Sequence, residues 1–191
     1  MLYRNARPSD LEPIIALHVE EQRRAYADIL SADHLRSEMP AQKRELWCGR
    51  LQREVDPNRL SVTVAESGAC RLVGFACFIF EADDRFGSYL HNLYVASDHQ
   101  RRGIARRLLV EGISRFSPDR IESPVHLLVY EANDTARALY DRLGGHPVER
   151  FERGKPAIEL LRYQWSSARE LQRRARAKQT SLEIESPAMP R

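Results

Sequence analysis

The sequence lacks most of the features that would place a protein at a glance. Its three cysteines, Cys48, Cys70 and Cys77, are an odd number with no Cys-x-x-Cys pair, which argues against a disulfide framework and against a zinc-ribbon spacing. Cys77 sits inside an apolar run and reads as a small core residue. The six histidines are scattered, with no His-Glu-x-x-His pair, so no metal is implied. No apolar run approaches the ~20 residues that span a bilayer, and the N-terminus has neither the basic nor the apolar region of a secretory signal, so the expectation is a cytoplasmic chain without a membrane partner. Net charge is also small, and it is confined to one end of the sequence. The formal +3 falls in residues 166–191, where Arg169, Arg173, Arg174, Arg176, Lys178 and Arg191 face only Glu170, Glu183 and Glu185. The remaining body is neutral and gives no argument for nucleic-acid binding.

What is present is the composition of an ordinary folded domain: 42% apolar and 30% charged over 191 residues, enough for one domain with a substantial core. A short strand at 2–6 leads to Pro8-Ser9-Asp10, where Ser9 or Asp10 caps a helix carrying Leu11, Ile14, Ile15, Leu17 and Val19 towards Tyr26. A second helix from Ser31 is expected to end near Pro40, and a third to run over 42–55 with Leu46, Trp47 and Leu51 on one side. Strands follow at 60–66 and 72–80, a charged loop at 82–87, and a strand at 89–95. After the helix that begins near Ile104, Ser117-Pro118-Asp119 and Ser123-Pro124 bracket a linker. A strand at 125–130, a helix that Gly144-Gly145 stops, and a hairpin around Gly154-Lys155-Pro156 complete the body. Two strand-to-helix units in succession indicate a mixed α/β domain with a partly parallel sheet. The boundary falls at 165, with 166–191 a basic tail that starts as a helix and ends mobile.

The chain is organised around 93–116, LYVASDHQRRGIARRLLVEGISRF. A β-rich run enters a polar turn holding Gln100, Arg101, Arg102 and Gly103, with small Ala105 two positions on. Ile104, Leu108, Leu109, Ile113 and Phe116 then recur at helical spacing. The first turn of such a helix has main-chain N–H groups without partners and lies at the positive end of the dipole, so it suits a phosphate or pyrophosphate. Neither the three spaced glycines of a dinucleotide fingerprint nor the Gly-Lys-Ser/Thr of a Walker loop is present.

The pattern Gln-x-x-Gly-x-Ala after a Leu-Tyr-Val strand resembles the coenzyme A signature of the GNAT superfamily of N-acetyltransferases. A second segment, Asn133-Asp134-Thr135-Ala136-Arg137-Ala138-Leu139-Tyr140-Asp141-Arg142-Leu143-Gly144, resembles the other recurring segment of that family. Together they cover 89–145, and the element order extends the likeness over nearly all of 1–165. The resemblance implies a single domain with a mixed central sheet splayed at the 89–95 strand and helices on both faces. It implies acetyl-CoA as acyl donor, its diphosphate held by the backbone of Arg101, Arg102, Gly103, Ile104, Ala105 and Arg106, and its pantetheine arm by the backbone of Leu93 and Val95. Asn133 fits either a bond to the pantetheine amides or a plain helix cap. Arg106 and Arg137 fit either phosphate contacts or solvated helix positions.

The reaction implied is direct attack of an amine on the thioester, with a main-chain N–H on the splayed strand stabilising the oxyanion. Tyr140 matches the family's usual proton donor to the leaving thiolate, although its place on an apolar helix face also fits a buried structural tyrosine. For the base, His91, with an ordinary pKa of ~6.5, competes with Glu81, Glu131 and a helper water. Strict alternation along the strand would put His91 and Asn92 on opposite faces. Two positions depart from the family pattern: Gly145, where many relatives carry an aromatic, and Ala96-Ser97, which lacks the common proline. Tyr26 and Trp47 fall in the region that lines the acceptor pocket in relatives. The expected partners are acetyl-CoA and a small or amino-acid-like amine. A protein or peptide acceptor, a non-catalytic acyl-CoA sensor and a homodimer are left open.

Overall fold

The computed structural model describes residues 1–52, 55–68, 70–154 and 157–177. Seven strands form one sheet in the order β1-β2-β3-β4-β5-β7-β6: β1 (Leu2–Asn5), β2 (Leu60–Glu66), β3 (Leu72–Asp83), β4 (Gly87–Val95), β5 (Val125–Tyr130), β6 (His146–Arg153) and β7 (Ile158–Trp165). Every neighbouring pair is antiparallel except β4–β5. That parallel pairing is confined to Ser88↔Val125 and Tyr89↔His126, although both strands continue, so the sheet forks beyond Tyr89. The splayed mixed sheet implied by the family resemblance is the one observed.

Helices cover both faces. On one lie α1 (Leu11–Ala25) and α2 (Met39–Leu51), packed on Phe75, whose ring is 5.6 Å from His18 and 5.3 Å from Trp47. On the other lies α3 (Ile104–Ile113), where the ring of Phe78 of β3 lies 5.1 Å from that of Phe116 and would be 3.2 Å from a Cβ at Gly112. Phe75 and Phe78 are three apart on a strand and therefore face opposite ways, so β3 is buried on both sides. A short α4 (Pro118–Glu122), α5 (Asp134–Arg142) and α6 (Ala168–Ala177) complete the chain.

Several expectations are corrected by this arrangement. Pro40 lies in the first turn of α2 instead of ending a helix, because a missing N–H costs nothing where the helix has no partner for it. Leu35 belongs to a single wide turn, His34–Glu38, that runs into α2. Asp10 does not cap α1. Its carboxylate accepts the Arg7 amide at 2.7 Å and the Arg4 guanidinium at 2.7 and 2.9 Å, fixing β1 to the turn before the helix. The charged loop at 82–87 is a tight link between β3 and β4, and 118–122 is helical, with Ser117 Oγ accepting from the Arg120 amide.

Residues 168–177 of the basic segment are built into the core. Ala168, Leu171 and Ala175 are fully buried against α3, and Gln172 Nε2 donates to the Val110 carbonyl at 3.1 Å. The rest of that segment, 178–191, lies outside the described residues, as do Lys155 and Pro156 of the hairpin turn.

Candidate active site

The turn between β4 and α3 is held open from behind. Gln100 donates through Nε2 to the Val95 carbonyl at 3.0 Å, and Glu21 of α1 accepts the Ser97 amide at 3.0 Å. Gln100 therefore shapes the turn with its side chain. Glu21 is 5% exposed, and burial pushes its carboxyl above the ordinary range against the pull of the Ser97 amide and Arg24. Sequence reading missed it. The signal was a charge at the apolar repeat of α1, three residues beyond His18 and seven beyond Ile14. Gly103 stands at the N-cap of α3 with φ 78°, and Arg101 beside it also has positive φ at 60°. No side chain caps this helix, and a Cβ built on Gly103 meets nothing within 4 Å, so the turn is open at Gly103. Arg101 and Arg102 are exposed there. Ile104 is buried under the turn, and Ala105 is half-buried. Arg106 is turned towards α6, where it donates to the Arg174 carbonyl at 3.2 Å.

The fork places an unpaired strand edge next to this turn. Val95 directs its carbonyl away from β3, and Leu93, two residues earlier, shares that edge by strand alternation. Aromatic side chains line the fork. Tyr26 reaches across from α1, its hydroxyl 3.4 Å from that of Tyr94 and its ring 4.8 Å from Tyr130 on the far strand. Tyr140 of α5 rests its ring on Tyr163 and Trp165, with centroids 5.9 and 6.2 Å away. Burial, followed by the hydroxyls of Tyr26 and Tyr89, pushes the Tyr140 phenol well above its ordinary value, so it stays a proton donor across the physiological range. The Tyr140 phenol feels the hydroxyls of Tyr26 and Tyr89, which places it at the fork.

The family model described as Acetyltransferase (GNAT) family matches residues 19–145. The chain belongs to that family. Its sequence is 28% identical over 171 residues to the uncharacterized N-acetyltransferase YuaI of Bacillus subtilis (strain 168), covering 83% of this chain and 95% of that protein. Its fold is similar to that of the PaiA N-acetyltransferase from Thermoplasma acidophilum in complex with coenzyme A, with TM-score 0.67, 20% identity and coverage of 86% of this chain and 98% of that one. It is also similar to a spermidine N-acetyltransferase SpeG mutant from Vibrio cholerae, with TM-score 0.61, 20% identity and coverage of 91% and 99%. A ribosomal-protein-alanine N-acetyltransferase from Brucella melitensis aligns with TM-score 0.58, 23% identity and coverage of 86% and 99%. Likenesses at these identities establish the GNAT fold and leave the acceptor to this chain's own residues.

Within this GNAT domain the residues of the second segment divide. Asn133 is the N-cap of α5, its Oδ1 accepting from the Ala136 amide at 3.1 Å. Arg137 folds back on its own helix, donating to the Glu131 carbonyl at 2.9 Å and to Asp134 at 3.3 Å. Glu131 binds Arg150 on the neighbouring hairpin and so points away from a base's role. The side chain of Glu81 lies outside the described atoms.

His91 is where simple alternation fails. Leu90 pairs with Phe78 and Asn92 with Cys77, so His91 is the extra residue of a β-bulge, and both His91 and Asn92 face Arg50 of α2. Asn92 Oδ1 accepts from Arg50 Nη1 at 3.1 Å and lies 2.8 Å from His91 Nδ1, which is itself 3.4 Å from Arg50 Nη1; in the tautomer with the proton on Nδ1, His91 Nε2 keeps its lone pair. Burial and then Arg50 lower the His91 pKa to about 4, so the ring is neutral at pH 7. Trp47 lines no pocket: it is fully buried and donates to His18 Nδ1 at 2.9 Å.

The departure at Gly145 has a structural cause. A Cβ there would lie 2.5 Å from Cζ2 of Trp165, a fully buried ring fixed by its own bond to the Leu143 carbonyl at 2.9 Å. The aromatic bulk thus comes from β7. Gly145→Ala is expected to lose about 1–3 kcal/mol through overpacking, read as a lower urea midpoint with unchanged slope.

Proposed function

We propose that the chain is an acetyl-CoA-dependent N-acetyltransferase that places an acetyl group on the primary amine of a small or amino-acid-like acceptor by direct attack. The observation that carries this reading is the uncapped start of α3, open at Gly103, lying beside the open edge of a sheet forked at Tyr89. Bound acetyl-CoA supplies an activated acetyl thioester. The amides at the start of α3 would hold its diphosphate, with Arg101 and Arg102 at the mouth, and Leu93 and Val95 would bind the arm as an added strand edge does. An N–H on that edge, aimed before any charge develops, would stabilise negative charge on the thioester oxygen. Tyr140 would give its proton to the departing sulfur. The amine must arrive neutral, and His91 Nε2 would take its proton. A ring with a pKa of about 4 is a relay to water and a poor store, which suits a step whose proton leaves the site.

The test is release of free thiol from acetyl-CoA in the presence of primary amines; coenzyme binding without turnover on any amine would leave only a sensor. Gly103→Val separates the binding half of the proposal. Its Cβ meets nothing in the free protein, so folding bears only the backbone strain of about 1–3 kcal/mol, whereas the ligand's approach is obstructed. The expected result is about a tenfold to hundredfold weaker acetyl-CoA Kd, measured by titration calorimetry on protein shown to be folded.

A further inference from the structure

The cleft wall made by α2 and the β4 bulge carries positive charge without an anion. Arg50 is half-buried, with its guanidinium 5.3 Å from the Trp47 ring centroid. Its hydrogen-bond partners are neutral: Asn92 Oδ1, His91 Nδ1 at 3.4 Å and Cys77 Sγ at 3.7 Å. Among the described residues no carboxylate pairs with it, whereas Arg4, Arg44, Arg150 and Arg162 all hold one. Lys43 lies two helical turns away on the same side of α2. Burial and then Arg50 depress its ammonium, and among the described groups the charges acting on His18 and His91 are likewise cationic. The patch adjoins the reaction cleft through Tyr89, whose ring is 5.1 Å from His91 and whose buried hydroxyl feels Arg153 and Arg162 and, more weakly, Arg50 and, across the fork, Tyr26. The only buried side-chain donor left without a partner among the described residues is Arg137 Nε, so the remaining Arg50 donors are open to solvent.

A half-buried guanidinium on the wall of a substrate cleft, given neutral neighbours and a second cation nearby, is short of an oxyanion that the fold does not supply. Its planar fork matches a carboxylate or phosphate in two parallel bonds. We propose that Arg50, with Lys43 beside it, binds an oxyanion carried by the acceptor, so that the amine acetylated belongs to an amino acid or an aminoalkyl phosphate and not to a polyamine. This deepens the acetyl-transfer reading of the same cleft and rests on it. Two cations on one wall would repel a polyammonium chain while attracting an oxyanion.

The experiment is a thiol-release assay on the full chain with four acceptors matched in length: an α-amino acid, its carboxamide, an aminoalkyl phosphate and a diamine. The wild type is expected to favour one oxyanion acceptor over the carboxamide by about tenfold or more in kcat/KM, and the better of the two oxyanions identifies the source. Arg50→Gln should erase that preference mainly through KM, by about tenfold to a hundredfold, and Arg50→Lys should restore part of it. If Arg50→Gln does not fold, the wild-type ranking alone decides. Equal use of carboxamide and amino acid, or preference for the diamine, overturns the proposal and leaves acetyl transfer standing. Absence of thiol release from every acceptor, with coenzyme bound, overturns both.

Discussion

Tyr140→Phe is expected to keep acetyl-CoA affinity and lose about 10²- to 10⁴-fold in turnover. The variant deletes one oxygen and retains the ring that packs on Tyr163 and Trp165, so fold and coenzyme site should survive it. What disappears is a proton donor whose surroundings keep it charged with its proton: burial, with Tyr26 and Tyr89 adding to it, holds the phenol above its ordinary value. An alkyl thiol has a pKa of ~8.5, so the departing sulfur needs a proton most when the solution is well below that and least above it. The deficit of the variant should therefore be largest near neutrality and shrink as pH rises past ~9. Rates of thiol release for both proteins between pH 6 and 10 measure this. Equal turnover throughout would remove Tyr140 from the chemistry and leave it as packing.

The parts of this site that were legible in the sequence are those specified locally. Gly103 suits the residue that turns at positive φ immediately before α3, and Asn133 marks the start of α5 because its side chain caps the amide three residues on. Such requirements lie within a few residues of the feature they create. The fork is different in kind: nothing in the run 89–95 states that pairing with β5 stops at Tyr89, and the expectation came from likeness to a family. The bulge at His91 was missed because alternation assumes an uninterrupted ladder, whereas register is set jointly by two strands, here Leu90 on Phe78 and Asn92 on Cys77. Arg50 was invisible for a related reason. On α2 it reads as one more solvated arginine, and only the tertiary contact with Asn92 brings it to the cleft. Pro40 misled because proline starts and stops helices by the same physics, the absence of one N–H.

Ending the chain at Trp165 is expected to abolish cooperative folding, and we propose that the folded unit extends to Ala177. Composition pointed the other way, since 166–191 is basic and its second half has no apolar period, but α6 is amphipathic with a narrow stripe of Ala168, Leu171 and Ala175. All three are fully buried, and the surface they cover belongs to α3, the helix whose first turn is the candidate diphosphate site. Trimming Leu171 alone to alanine should cost about 2–5 kcal/mol. Removing the helix adds the loss of both alanines, the Gln172 bond to the Val110 carbonyl, and the Arg169 pairing with Glu122, and it exposes the back of α3 to water. Against a total stability of about 5–15 kcal/mol, that sum is comparable to the whole. Urea unfolding of the full chain, of Leu171→Ala and of the truncated chain provides the series: a sigmoid, a sigmoid displaced to lower urea, and a sloping line without a transition. A truncated chain that melted cooperatively and still bound acetyl-CoA would show α6 to be dispensable cover, with α3 held in place by the sheet alone.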